Sequence, residues 1–224
     1  MESLKFNFNE TLLKDKLLPF NSTQRLSLND EAFTKSAILL LIIPYKDKPY
    51  NLVLIRRTKR KDDKHSGEMG FPGGKTEPQD RSPEVTALRE CEEELGIPRK
   101  KITILGSFED QITPKGFIIT PIVGYIIENQ EMNKQIEEVQ EIVKIPVDFF
   151  ANKKNYRERT YILKNDTIAV GKYNYHAPNG KKYVVFGATS HIIVHFIQIV
   201  YNIRLMKQGA RRLSCEDIRE RIVK

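Results

Sequence analysis

Between residues 89 and 97 the chain reads RECEEELGI, and Glu90, Glu93 and Glu94 stand there at i, i+3 and i+4. On a helix each residue advances about 100°, so the three carboxylates share one face. Like charges at that spacing repel, weakly on an open surface and more strongly where water is scarce. A divalent cation removes the conflict. Oxygen donors favour hard ions, Mg²⁺ or Mn²⁺, and Mg²⁺ characteristically joins a few carboxylates to substrate phosphates. Taken alone, such a run is more often a solvated helix face. Val85, Leu88, Cys91 and Leu95 fall on the other side, which predicts a helix that packs by that stripe and displays its glutamates opposite.

The loop before it, FPGGKTEPQD, places Gly73 and Gly74 at a turn where backbone can approach a ligand closely, and ends at Asp80. Ser82 is a capping residue, Pro83 suits the first helical position, Glu84 complements the positive helix end, and Gly96 with Pro98 ends the helix. Gly74, Asp80, Arg89, Glu90, Glu93, Glu94, Gly96 and Ile97 together resemble the signature of the Nudix hydrolases, G-x5-E-x7-R-E-U-x-E-E-x-G-U, with Cys91 at an apolar position U. There are two departures: aspartate replaces the first glutamate, and eight residues instead of seven precede Arg89. The resemblance implies an α+β fold, a Nudix-type α/β/α sandwich with a mixed β-sheet. It also implies hydrolysis of a nucleoside diphosphate linked to another group, with Mg²⁺ or Mn²⁺ held chiefly by Glu93 and Glu94, with Glu90 as a further ligand or the group that polarises water, and with Arg89 orienting the glutamates. The general base lies outside this motif in many such enzymes; Glu137, Glu138, Glu109 and Asp110 are all candidates.

Two flanking segments resemble the coenzyme A diphosphatase branch. Upstream, LVLIRRTKRKDDKHSGEMGFPGG matches a strand ending in an arginine and a hydroxyl residue (Arg57, Thr58), then a basic loop to His65, Gly67 and FPGG. Downstream, TPKGFIITPIVGYI matches a segment in which Lys115 stands for a serine. The resemblance implies substrate contacts from Arg57, His65, Gly73, Gly74 and Lys115, and cleavage of coenzyme A or a derivative to 3′,5′-ADP and 4′-phosphopantetheine. Arg56, Arg60 and Lys64 lie beside the same segments. ADP-ribose, a dinucleotide or an oxidised nucleoside triphosphate would use the same metal helix. A nucleic-acid-binding protein on this scaffold is the reading from another class. The charge motivates it, but the intact glutamates and the lack of a basic helix or aromatic stacking motif stand against it.

The 224 residues carry 37 Lys+Arg against 29 Asp+Glu, a formal charge of +8 that suits anionic partners of either kind. Two cysteines make neither a disulfide framework nor a zinc site, and with no secretory leader pattern they point to the cytoplasm. The longest apolar run, residues 37–45, is of strand length and too short for a bilayer. Apolar, β-branched segments predict strands over residues 37–45, 51–57, 102–108, 117–127, 138–145, 160–163, 167–173 and 182–186. A short helix is predicted over 10–18 and an amphipathic one over 189–206, where Ile192, Ile193, Phe196, Ile197 and Val200 recur at helical spacing. The expected organisation is an N-terminal extension over 1–35, a Nudix domain over 36–206, and a basic tail or helix over 207–224 that covers the sandwich or a partner. Members of the family are often homodimers.

Overall fold

The computed structural model describes residues 6–58 and 67–222. Within them the main sheet takes β1 (Thr34–Ile43), β2 (Asn51–Arg57), β3 (Met69–Gly70), β4 (Gly73–Lys75), β5 (Thr103–Ser107), β6 (Gln111–Ile112), β7 (Phe117–Tyr125) and β8 (Val139–Pro146). It is mixed. β1 runs parallel to β7, from Thr34 opposite Phe117 to Ile42 opposite Tyr125, and antiparallel to β2 and β4.

β1 is almost wholly apolar because both of its faces are covered. Ala37, Leu39, Leu41 and Ile43 meet Ala87, Cys91 and Leu95 of helix α2 (Pro83–Leu95), whereas Leu40 and Ile42 join Ile193, Phe196 and Ile197 of helix α4 (Gly187–Tyr201). Alternation along a strand sends odd and even residues to opposite layers, and that alone produces a helix–sheet–helix sandwich. Of the remaining helices, α1 (Glu10–Lys16) precedes β1, α3 (Val147–Ala151) follows β8, and α5 (Cys215–Ile222) ends the described chain.

Beyond β8 the chain builds a second sheet from β9 (Tyr156–Leu163), β10 (Asp166–His176), β11 (Lys182–Phe186) and β12 (Ala210–Arg211). Its three longer strands are legible in the sequence, but β12 and the sheet's separation from the main sheet are not. Ile168 and Tyr173 are buried on β10, and Gly171 donates its N–H to His191 of α4 at 3.1 Å, so this sheet packs on the helix. Helix α4 is shorter than its apolar periodicity predicts, because Asn202 adopts a left-handed conformation (φ 54°) that stops it.

Described segments on either side of the sandwich pack against it. Leu13 and Leu17 enter the core, and the buried Arg25 donates to Asp110 at 2.6 Å. Ile218 of α5 packs with Phe33, Ile112 and Ile118.

Candidate active site

Helix α2 begins as its capping residues require. Ser82 accepts the Val85 N–H at 3.3 Å, Pro83 follows, and Gly96 closes the helix in the left-handed region at φ 64°. The helix lies on β1 through Ala87, Cys91 and Leu95, and Thr86, Arg89 and Glu94 are buried as well. This corrects the expected stripe: Val85 and Leu88 are only half-buried, and Glu94 turns inward instead of standing on a displayed face. The reason is the PGG segment, which folds over that side of the helix. The Gly73 N–H donates to Glu94 at 2.9 Å, and the glutamate side chain is 1% exposed.

Arg89 organises the cluster. Its Nε and Nη2 donate to the two Asp80 oxygens at 3.1 and 2.9 Å, Nη1 donates to both Glu90 and Glu93 at 3.0 Å, and Nη2 also reaches the Lys75 carbonyl at 3.0 Å. Asp80 further accepts the Glu77 N–H and the Thr86 hydroxyl, both at 3.0 Å. These bonds, those from Arg89 above all, hold the Asp80 carboxyl down at about 2. The aspartate that departs from the signature is thus the anchor of the arginine. Glu93 keeps much of its carboxylate in solvent, with its side chain 55% exposed.

Both glycines are required by close approach. A Cβ at Gly73, where φ is +150°, would overlap the Ala37 carbonyl, and one at Gly74 would overlap the Glu90 carboxylate. Pressed beneath this backbone, Glu94 is pushed up to about 8. Burial is the main cause; Glu90 and Glu138 add to it, while the Gly73 N–H and Arg57 oppose it. Glu90 is also raised, by burial first and then by Glu93 and Glu138 against the pull of Arg89. Arg57, at the end of β2, stands 3.6 Å from Glu94.

Glu138 therefore lies within electrostatic reach of both glutamates. The Thr58 N–H donates to its carbonyl at 2.9 Å, and the Thr58 hydroxyl donates to Ile136 at 3.0 Å, which ties the start of β8 to the end of β2. The other base candidates are placed differently. Asp110 accepts from Arg25, Thr120 and the Leu28 N–H and is buried as a structural ion pair. Glu109 contacts His195 of α4 at 2.5 Å, and Glu137 is exposed. Lys115 lies in the exposed turn ahead of β7, whose Phe117 ring is 5.8 Å from the Lys75 ammonium. His65, Arg60 and Lys64 fall outside the described residues. Sequence reasoning missed the backbone groups, the Gly73 N–H and the Lys75 carbonyl, which no side-chain pattern announces.

The donor chemistry fits a hard divalent cation. Asp80, Glu90, Glu93, Glu94 and Glu138 outnumber Arg57 and Arg89 around the site, an all-oxygen donor set. Among the described residues no three acidic, histidine or cysteine side chains form a ready ligand cage, since Arg89 engages Glu90 and Glu93 and Glu94 turns to Gly73.

Comparison with known proteins adds to this geometry. The family described as NUDIX domain matches residues 34–162. The chain is 32% identical over 177 residues to a protein of Photorhabdus laumondii named uncharacterized Nudix hydrolase NudL, covering 79% of this chain and 89% of that one. It is 27% identical over 161 residues to the peroxisomal coenzyme A diphosphatase NUDT7 of Mus musculus, covering 71% of this chain and 67% of that one. Among solved structures it is similar to a MutT/nudix family protein from Enterococcus faecalis, at 19% identity and a TM-score of 0.46 over 80% of this chain and 66% of that one.

Proposed function

This chain belongs to the Nudix hydrolases and is a diphosphatase, and on that footing we propose that it cleaves the diphosphate of coenzyme A or a derivative to 3′,5′-ADP and 4′-phosphopantetheine, using Mg²⁺ or Mn²⁺. The observation that carries the reading is the enclosed Glu90/Glu94 pair beneath the Gly73–Gly74 backbone, with Arg57 beside it. Glu90, Glu93 and Glu94 would hold the cation. When bound, it screens the diphosphate and makes water a better nucleophile.

The chain's own residues supply the rest. Arg89, fixed by Asp80, orients Glu90 and Glu93. Arg57 meets a phosphate through charge-assisted hydrogen bonds, and Gly73 and Gly74 let the backbone come close. Water bonds to one phosphorus as the bridging P–O bond breaks, and the proton passes to a carboxylate. We assign that step to Glu138, the candidate base whose charge both helix glutamates feel. The likeness to a coenzyme A diphosphatase supports the substrate, and the free cysteines accord with a reducing cytoplasm.

Mass-spectrometric product analysis tests this, with coenzyme A and ADP-ribose offered separately in Mg²⁺, Mn²⁺ or EDTA. Metal-dependent 3′,5′-ADP plus 4′-phosphopantetheine is the expected outcome. AMP plus ribose 5-phosphate alone would leave a Nudix diphosphatase and discard coenzyme A.

A further inference from the structure

Strand β9 lies at the rim of the second sheet. Among the described residues it pairs with β10 alone, from Tyr156 opposite Tyr173 to Leu163 opposite Asp166. Lys164 and Asn165, both at positive φ, form a two-residue turn, which makes Leu163 and Asp166 its hydrogen-bonded closing pair. Alternation then gives Tyr161, Arg159 and Arg157 the bonds to β10 and turns the N–H and C=O of Glu158, Thr160 and Ile162 outward. Gly171 agrees with this phase, since it stands opposite Glu158 yet donates its N–H to His191.

An open edge of this kind accepts a further strand unless charge guards it. Arg157, Glu158 and Arg159 guard the first half of β9, but residues 160–163 carry no charge. Tyr161 and Ile162 there are 42% and 69% exposed. As neighbours in a strand they point to opposite faces of the sheet. A strand laid along the edge covers both; a ligand on one face covers one.

We infer that this edge pairs with β9 of a second copy of the chain, antiparallel and two-fold about Thr160. In a two-fold pair each residue meets the one equally far from the centre in the other copy. Centred on Arg157, Glu158 or Arg159, the pair would set like charges against each other on the axis, which is destabilising. Centred on Thr160 it joins residues 157–163, with Thr160 opposite Thr160, Arg159 opposite Tyr161, Glu158 opposite Ile162 and Arg157 opposite Leu163. No like charges face each other. Thr160 turns its backbone groups outward, so the central pair is hydrogen-bonded, and each Arg159 gains a tyrosine ring. A centre at Tyr161 joins only residues 159–163 of the strand.

Oxidative cross-linking of the full-length protein with copper–phenanthroline reads the register, in a Cys215→Ser background because the other cysteine, Cys91, is buried. Thr160→Cys should give a disulfide-linked dimer. Arg157→Cys should not, because its two copies would lie about 20 Å apart along the strands. Sedimentation equilibrium reads the pairing itself. Glu158 is held in place by the Tyr156 hydroxyl and the Lys207 N–H. Ile162→Glu sets a second carboxylate against it in both halves of the interface and should weaken the dimer about ten-fold. Ile162→Lys should strengthen it several-fold. Thermal melts of both variants should match wild type, because the side chain they replace is exposed. A wild type that sediments as a monomer at every concentration would overturn the inference. So would equal dimerisation of Ile162→Glu and Ile162→Lys, or a dimer that cross-links no better at 160 than at 157.

Discussion

Glu94 carries a conflict that a solvated glutamate does not. Its carboxylate is shut beneath the Gly73 backbone, with one N–H donor and the Arg57 guanidinium at 3.6 Å beside it. Glu94→Gln keeps the shape and removes the charge. Steady-state kinetics should show kcat lowered at least about a hundred-fold, the scale of losing one charged partner of a transition state. A thermal melt in EDTA at pH 9, above the value of about 8 to which burial pushes Glu94, should show the same variant equal to or above wild type, because an isolated buried charge destabilises its surroundings. Wild-type turnover would remove Glu94 from the site. The two glycines should separate activity from folding. In Gly74→Ala the new Cβ displaces only the Glu90 side chain, so activity falls with little change in urea midpoint. In Gly73→Ala it strikes the Ala37 carbonyl at a backbone conformation that alanine rarely adopts, so stability falls as well. Equal stabilities for the two variants would contradict this division. The i, i+3, i+4 spacing made the glutamates legible from the sequence. Their unequal burial was not, because it depends on where the preceding loop folds.

At the scale of elements, Arg25 joins the N-terminal segment to the sandwich. It donates to the Phe20 and Phe108 carbonyls at 2.8 and 3.1 Å and to Asp110 at 2.6 Å, with both charged side chains almost fully buried. Arg25→Ala leaves Asp110 charged and enclosed, so urea unfolding should reveal a loss of about 3–5 kcal/mol, typical of breaking one side of a buried pair. A loss under about 1 kcal/mol would mean that the segment frays without consequence. This pair also shows where sequence reading stops. Asp110 looked like a candidate base because its neighbours give no sign of a partner 85 residues away. Local signals did better: β2 and β11 begin and end as their apolar patterns predict, and α2 is bounded by Ser82 and Gly96. The two- and three-residue strands β3, β4, β6 and β12 are too short to have a period. The division into two sheets is set by non-local pairing, which periodicity does not encode.

For the whole molecule, acid should act first through the layer between the two sheets. His191 of α4 accepts the Gly171 N–H at Nε2, so the folded protein holds that imidazole neutral. Burial lowers it from 6.5 to about 4, and the nearby Arg212 charge adds to the shift. The unfolded chain therefore binds a proton between pH 6.5 and 4 that the native protein refuses, and stability must fall as pH drops through that window. The shift corresponds to about 3 kcal/mol at most. His195, one turn further along and 2.5 Å from Glu109, is lowered to about 3 by burial and then by the Arg212 charge, so it adds to the same acid sensitivity. A net charge of +8 at pH 7 makes each added proton less welcome to the compact state. Urea midpoints at pH 7 and pH 4.5 should differ more for wild type than for His191→Gln, whose amide oxygen can accept from Gly171 without titrating. Parallel losses in the two proteins would assign the acid sensitivity elsewhere, whereas a flatter response in the variant would place it at the seam where the second sheet meets α4.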